Sequence, residues 1–184
     1  MFVVSLSVIL LKPLIKKNEK MFKKFFGKML SRPEFMRRAM NFYAPLRGAG
    51  IHVLSIAQDF SRVEVKMDLT RRNRNIMQTH FGGSLYAIAD PFYMLILMKT
   101  LGSKYHVWDQ QATIKFVSPG QGTVYGTYEV GYDQLQDIQS QASLGEKVLY
   151  TFNAVITHAD GSVVANIEKV LYVRLKKKHR PTNP

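Results

Sequence analysis

One short segment of the chain combines polar residues that could do chemistry with a glycine pair. Residues 73–90 read NRNIMQTHFGGSLYAIAD, and the residues of interest are Asn75, His80, Gly82, Gly83 and Asp90. A carboxylate in apolar surroundings can serve as a nucleophile or as a general base. Two glycines let the backbone approach a ligand, and the first amides of a following helix can polarise a carbonyl oxygen or hold an anion. The segment therefore predicts a ligand-binding helix N-terminus with a carboxylate about two helical turns further on.

Each of these features also has a purely structural interpretation. Asp90 precedes a proline, so it could cap a helical turn that starts at Pro91, or accept hydrogen bonds from a neighbouring strand or subunit. The glycine pair could serve only a tight turn, and His80 could do no more than support the loop. Ser84 is no triad serine, because Gly-Gly-Ser-Leu lacks the nucleophile-elbow pattern. The residues alone leave these alternatives open.

The elements that must position this segment indicate an α+β fold. Residues 82–98 are apolar nearly all round, which is typical of a buried helix, and Pro91 should bend it. Shorter helices are predicted over 21–31, 34–43 and 133–143. Strands are predicted over 62–68, 105–117, 123–131, 147–158 and 162–175, with Asp160-Gly161 as a hairpin turn. A helix that is apolar on every side needs a sheet that curls round it, or a partner subunit.

Composition narrows the classes of function. The 184 residues include no cysteine, which excludes disulfides, thiolate metal sites and a cysteine nucleophile. The formal net charge is +13, concentrated near both ends and in Arg71, Arg72 and Arg74 beside the glycine segment. Such charge favours polyanionic partners, although at the termini solvation alone would explain it. We expect no nucleic-acid binding because no recognition motif is present, and no metal, because the histidines lack ligand spacing.

The N-terminus is predicted to stand apart from the domain. Residues 1–20 begin with MFVVSLSVILL, an apolar run that is too short to span a bilayer, and its lysines follow it rather than precede it as in a secretory signal. The alternatives are a mis-assigned start with Met21 as the true one, a disordered extension, a helix packed on the domain, or a peripheral membrane anchor. A single domain is expected over 21–178, then a basic tail over 179–184, in a cytoplasmic protein.

The run from Asn75 to Gly83, followed by Ser-Leu-Tyr-Ala-Ile-Ala-Asp, resembles the motif of PaaI-type hotdog acyl-CoA thioesterases. That family shows an Asn, six residues later His-Gly-Gly, and an Asp eight residues after the first glycine. Asn75, Gly82 and Asp90 fall in register, but Phe81 occupies the position of the family histidine and His80 stands one position earlier. From about residue 48 to residue 174 the chain also resembles a bacterial hotdog group of unassigned function.

The resemblance implies a hotdog fold, a curled antiparallel sheet wrapped around one long central helix, here with an N-terminal helical extension. It implies an acyl-thioester hydrolase in which Gly82 polarises the carbonyl. Asp90, from the opposite subunit, would attack the carbonyl or activate a water that Asn75 helps to orient, with His80 as a further catalytic candidate. The remaining substrate contacts are expected from Phe81, Gly83, Ser84, Arg71, Arg72 and Arg74, the arginines meeting coenzyme A phosphates.

The same resemblance implies dimers that pair into tetramers, with acyl-CoA bound between subunits and no cofactor beyond the coenzyme A of the substrate. Phe81 makes the carbonyl site drier and removes one donor. Two alternatives therefore stay open: a non-catalytic acyl-thioester or lipid binder, and a hydroxyacyl-thioester dehydratase that uses His80 and Asp90 as an acid–base pair.

Overall fold

The computed structural model describes residues 32–181. The predicted extension over 1–20, the predicted helix over 21–31 and the last three residues of the basic tail lie outside this range. The helices are α1 (Pro33–Phe42), α2 (Ala44–Ala49), α3 (Gly82–Ala87), α4 (Phe92–Thr100) and α5 (Tyr132–Ser143). The strands are β1 (Ile51–Ile56), β2 (Arg62–Asp68), β3 (Tyr105–Phe116), β4 (Thr123–Glu129), β5 (Val148–His158) and β6 (Val163–Leu175), and a 3-10 turn (Lys177–His179) follows.

The strands form one antiparallel sheet in the order β1-β2-β4-β5-β6-β3. The predicted α+β class is confirmed, as is the hairpin between β5 and β6, where Gly161 adopts a φ of 85°. Side chains alternate along the strands between the helix-covered face and solvent, as the two-residue period of a strand requires. Strands β1 and β3 form the two edges of the sheet.

The single long central helix predicted over 82–98 is wrong: the chain forms α3 and α4 with a break over 88–91. Pro91 causes the break because it has no N–H to donate to the carbonyl of Ala87. The amide of Asp90 donates to that carbonyl instead, at 3.2 Å, which tightens the last turn of α3. The bend expected at Pro91 is therefore an interruption between two helices.

A tyrosine from the sheet stabilises this break. Tyr128 of β4 is fully buried, and its hydroxyl donates a 2.7 Å hydrogen bond to the carbonyl of Ile88. The ring of Phe92 stacks on Tyr128 at 4.9 Å between centroids, and the ring of Tyr93 meets it edge-on at 5.4 Å. Complete burial raises the pKa of Tyr128 well above its ordinary value, so the hydroxyl stays a donor. The freed backbone carbonyl is thus satisfied inside the core.

The core lies between the sheet and the two central helices. Helix α4 contributes Phe92, Ile96 and Leu97 at zero exposure, and all three belong to the same apolar cluster as the inward side chains of the strands. Helix α1 closes one side through its contacts with β1. Within residues 32–181, no helix has the length and apolarity to cross a membrane.

Candidate functional site

A pocket of about 640 Å³ opens where the glycine segment meets the end of β3. One wall is the loop before α3 together with the first turn of that helix. The other wall is the chain from Phe116 to Gln121, which leaves β3 and turns back towards β4. The lining residues are Asn75, Met77, Thr79, His80, Gly82, Leu85, Phe116, Val117, Ser118, Pro119, Gly120 and Gln121. Three of the predicted site residues, Asn75, His80 and Gly82, therefore share one pocket.

Asn75 organises the loop that forms the first wall. Its side-chain oxygen accepts hydrogen bonds from the amides of Met77 at 2.9 Å and Thr79 at 3.2 Å. Its side-chain nitrogen donates to the Thr79 hydroxyl at 2.9 Å and to the carbonyl of His80 at 3.3 Å. Most of the hydrogen-bonding capacity of the amide is thus used within the loop. The structure places Asn75 at the pocket, but as a side chain that shapes the wall.

A second asparagine, which sequence reasoning missed, anchors the same loop to the domain. Asn73 is buried, and its nitrogen donates to the carbonyls of Ala49 at 2.9 Å and Asp68 at 2.8 Å. Its oxygen accepts from the amide and the hydroxyl of Thr70. A Cβ at Gly50 would lie 2.7 Å from the Asn73 nitrogen, so the close approach there requires glycine. The loop is consequently fixed at its base while its tip borders the pocket.

His80 points into the protein rather than into solvent. Its side chain is 3% exposed, and Nε2 lies 2.9 Å from the carbonyl of Gly122. Because a carbonyl only accepts, Nε2 carries the proton, and Nδ1 is buried with no partner among the described residues. Burial lowers the pKa of His80, which favours this neutral ring. His80 thus ties the loop to the turn before β4, and its Nε2 is not free to donate to a ligand.

The Phe81 side chain, unlike that of His80, points towards solvent. Its ring is 57% exposed and lies over Gly83, where a Cβ would come within 2.4 Å of it. Gly82 faces the pocket, and a Cβ there would stand 3.2 Å from the ring tip of Phe116. A side chain at either glycine would therefore displace a neighbouring aromatic ring. The amides of Gly82 and Gly83 donate no hydrogen bond within residues 32–181, as expected for the first turn of a helix. Ser84 is buried in that turn.

Asp90 lies outside this pocket. It is 60% exposed at the helix break, and its Oδ1 atom is 3.5 Å from the ammonium nitrogen of Lys169 in β6. The same nitrogen lies 3.1 Å from Oδ1 of Asp109 in β3. Asp90 does not cap α4, because no side chain bonds the first turn of that helix. Of the two structural interpretations, contact with a neighbouring strand is the one that the structure shows.

Lys169 is the second residue that sequence reasoning missed. Its side chain is 1% exposed, and it occupies a core-facing position of β6 between Ile167 and Leu171. The signal was available in the sequence, because a lysine interrupts an otherwise apolar two-residue alternation. Burial raises the pKa of Asp109, and the neighbouring Lys169 opposes this shift. The two carboxylates and the ammonium form one cluster beneath the helix break.

The three arginines of the segment, Arg71, Arg72 and Arg74, are exposed on the loop that precedes the pocket. None of them forms an ion pair with an acidic side chain in residues 32–181. Their charge is therefore available to an anionic ligand near the pocket. Over the same range, no group of three His, Asp or Glu side chains lies close enough together to hold a metal ion.

The fold is shared with solved structures of low sequence identity. A protein of unknown function from Pseudomonas aeruginosa, PA5026, described as a probable thioesterase, superposes with a TM-score of 0.69 at 18% identity, over 79% of this chain and 99% of that chain. The thioesterase HI1161 of Haemophilus influenzae gives 0.58 at 15% identity, over 80% and 94%. The Escherichia coli PaaI protein, from the phenylacetic acid degradation operon, gives 0.52 at 18%, over 76% and 89%.

These likenesses confirm the predicted hotdog architecture. A comparison with curated protein sequences gave no match. One family model, described as a domain of unknown function, DUF4442, matches residues 32–173. This match spans the N-terminal helices, the pocket, the helix break and nearly all of the sheet, and the chain therefore belongs to the DUF4442 family.

Proposed function

We propose that this protein is an acyl-thioester hydrolase that acts on acyl-CoA. The observation that carries the proposal is the pocket at the start of α3, which is largely apolar and lined by Gly82, whose amide donates no hydrogen bond within residues 32–181. An oxygen that gains negative charge in such a place is stabilised by the amide and by the partial positive charge of the helix N-terminus. The thioester carbonyl oxygen would lie there, with the acyl group against Leu85 and Phe116.

Asp90 supplies the chemistry in this proposal. Its carboxylate either attacks the carbonyl carbon or removes a proton from a water that attacks it. If a water attacks, the carbon–sulfur bond breaks, the coenzyme A sulfur receives the proton that Asp90 took from the water, and the acyl group leaves as a carboxylic acid. If the carboxylate attacks, the carbon–sulfur bond breaks to give an acyl anhydride on Asp90 and the coenzyme A thiolate; a water then hydrolyses the anhydride, which releases the carboxylic acid, restores Asp90 and supplies the proton for the thiolate. Asp90 lies outside the pocket that Gly82 of the same chain lines, so the two residues of one chain do not meet at one carbonyl there. The proposal therefore takes Asp90 from a second copy of the chain.

The surface of β3 supports such an assembly. This strand is 12 residues long and forms an edge of the sheet. Trp108, Phe116 and Val117 on or just beyond it are about half exposed. A long edge with apolar side chains favours pairing with another chain. We propose a homodimer, and a tetramer formed from two dimers, in which each pocket receives Asp90 of the neighbouring copy.

Coenzyme A itself would be held by charge. Arg71, Arg72 and Arg74 follow β2 and precede the pocket wall, so the phosphates of a bound thioester would lie over this loop while the pantetheine arm enters the pocket. Guanidinium groups suit phosphates because they present a planar fork of donors. Phe81 and Gly83 would flank the arm, and buried Ser84 would support the turn below it.

The test is turnover of a panel of acyl-CoAs by purified protein, with coenzyme A release as the readout. Asp90→Asn keeps the size of the side chain but removes the charge, and we expect kcat to fall by about 100-fold or more. Asp137→Asn on α5 is the matched control, since that aspartate is exposed and bonds only Gln141. Hydrolysis that is equal in the wild type and Asp90→Asn would refute the mechanism.

A second candidate is a non-catalytic acyl-thioester binder, and the placement of His80 favours it. Phe81 occupies the position of the family histidine, and the adjacent His80 donates its Nε2 proton to the carbonyl of Gly122. The pocket thus lacks a histidine donor, and the backbone amides alone would polarise the carbonyl. For a dehydratase, His80 would have to release Gly122 before Nε2 could donate to a substrate. A binder predicts thermal stabilisation by acyl-CoA without turnover across the panel.

A further inference from the structure

We propose that Lys169 is a positioning residue for Asp90, with its buried ammonium anchored on Asp109 and bonded to one carboxylate oxygen of Asp90. This inference rests on the proposed function, because it assigns a role to Asp90 in the reaction. It explains a costly feature of the core, a lysine with 1% of its side chain exposed. It also explains why a second carboxylate, Asp109, faces the interior of the sheet.

The surroundings of Lys169 leave its charge few partners. Its cross-strand neighbours are Phe152 of β5 and Ala112 of β3. Phe152 is 2% exposed and stacks on Tyr93, so the stem of Lys169 lies in apolar surroundings. The charged groups that face the ammonium within the described residues are Asp109, at 3.1 Å, and Asp90, at 3.5 Å. A buried ammonium requires such compensation, because an unpaired one would be strongly destabilising.

The two carboxylates are not equivalent. Asp109 is 25% exposed and makes the shorter contact, whereas Asp90 is 60% exposed and makes the longer one. Burial raises the pKa of Asp109, and the negative charge of Asp90 contributes in the same direction. Asp109 therefore serves as the inner anchor of the ammonium through charge alone, because its Oδ1 lies 3.1 Å from the ammonium but makes no hydrogen bond within the described residues. Asp90 contacts the ammonium through Oδ1, at 3.5 Å, which leaves its second oxygen free to meet a substrate or a water.

The helix break makes this arrangement possible. Pro91 has no N–H to continue α3, and the Asp90 amide bonds the carbonyl of Ala87 in a tighter turn, so Asp90 lies between the two helices. Asp90 then stands at an exposed corner with one oxygen towards Lys169. Without the ammonium, its side chain would be free to rotate in solvent, and the fraction of time spent in a reactive orientation would fall.

The experiment compares kcat and KM for acyl-CoA in four variants. Lys169→Met keeps the length and apolar stem but removes the charge, and we expect kcat to fall about tenfold or more with KM changed less than about twofold. Lys169→Arg keeps a cation and should retain more of kcat than Lys169→Met. Asp109→Asn weakens the anchor of the ammonium, so kcat should fall by less than in Lys169→Met, again with little change in KM. Lys66→Met is the matched control, since Lys66 forms a lysine–aspartate pair with Asp68 on the far strand β2.

A second measurement does not depend on turnover. Urea midpoints are compared for Lys169→Met, Asp90→Asn and the double variant at one protein concentration. If the ammonium holds Asp90, the double variant shifts the midpoint by less than the sum of the single shifts. This cycle reports on the contact even if no acyl-CoA is hydrolysed, so failure of the proposed function and failure of this inference are distinguishable.

Three outcomes would overturn the inference. The first is additive midpoint shifts in the cycle. The second is a wild-type kcat in Lys169→Met. The third is a wild-type kcat in Asp109→Asn, which would show that the anchoring of the ammonium has no effect on Asp90. This third comparison decides the matter alone if neither Lys169 variant folds.

Discussion

Replacing Tyr128 by phenylalanine removes a single oxygen atom from the centre of the core. That oxygen donates a 2.7 Å hydrogen bond to the carbonyl of Ile88, at the break between the two central helices. Tyr128 and Ile88 both have zero exposure, so water has no direct route to replace the lost donor. The rings of Phe92 and Tyr93 still have a phenyl ring to pack against. The substitution therefore isolates one hydrogen bond.

The expected cost follows from leaving a buried carbonyl without its donor. Such a loss destabilises a protein by about 1–3 kcal/mol. For a domain of this size, each kcal/mol shifts the melting temperature by about 2–4 °C, so we expect Tm to fall by roughly 2–12 °C. Urea unfolding, followed by far-ultraviolet circular dichroism, should show a lower midpoint with an unchanged slope. Both proteins must be compared at one concentration, because self-association would add to stability.

Two further variants make the test specific. Tyr132→Phe is the control, because Tyr132 is 75% exposed, and its loss of a hydroxyl should change stability by less than about 0.5 kcal/mol. Gly126→Ala should reproduce the defect, since the added Cβ would lie 3.1 Å from the Tyr128 hydroxyl and 2.9 Å from Ile156. If Tyr128→Phe unfolds at the wild-type midpoint, the hydroxyl does not hold the helix break.

Three other predictions concern the pocket. Gly82→Ala should change the free energy of unfolding by less than about 1 kcal/mol, because alanine suits a helix and the Phe116 ring can move. It should nevertheless weaken acyl-CoA binding measured by calorimetry, since the Cβ and the displaced ring fill the pocket. Unchanged affinity would show that Gly82 is not part of the site. Burial lowers the pKa of His80 below its ordinary value of 6.5, so the unfolded chain binds more protons than the folded one as the pH falls. The stability that neutral His80 contributes is therefore fully present above about pH 6.5 and is lost as the pH drops towards the folded pKa. His80→Gln should flatten that part of the urea-midpoint profile, and an identical profile would contradict the assignment. Replacing Arg71, Arg72 and Arg74 together by alanine should raise KM for acyl-CoA but not for the same acyl thioester of N-acetylcysteamine, which lacks phosphates; an equal change for both would exclude phosphate binding.

The fold could be predicted from the sequence because its signals are local and repeated. Alternation of apolar residues marked the strands over 62–68 and 162–175, and the structure places β2 and β6 there within one residue. The turn at Asp160-Gly161 followed from the same kind of signal. The central helix was predicted too long, because apolar content on all sides indicates burial but does not indicate continuity. Pro91 carried that information, and the carbonyl freed at Ile88 depends on a partner, Tyr128, that lies 40 residues from Ile88.

The site was predictable only in part, for a related reason. Gly82 and Asp90 were singled out by their spacing along the predicted helix and Asn75 by the family resemblance, and the structure places Asn75 and Gly82 at one pocket. Local spacing could not reveal that Asp90 contacts Lys169, because that contact joins residues separated by 79 positions. It also could not reveal which way His80 and Phe81 turn. Side-chain direction in a loop depends on the carbonyl of Gly122 and on the room above Gly83, and both are set by tertiary packing.

The helix break and the position of Asp90 have one physical cause. A proline after Asp90 removes the donor that would have continued α3, so the chain must satisfy two carbonyls by other means. The carbonyl of Ala87 accepts from the Asp90 amide, and the carbonyl of Ile88 accepts from Tyr128. The same rearrangement moves the Asp90 side chain out of the apolar helix surface, where a carboxylate would be costly, to an exposed corner beside a buried ammonium. The break therefore leaves the Asp90 carboxylate both accessible to solvent and next to a compensating ammonium.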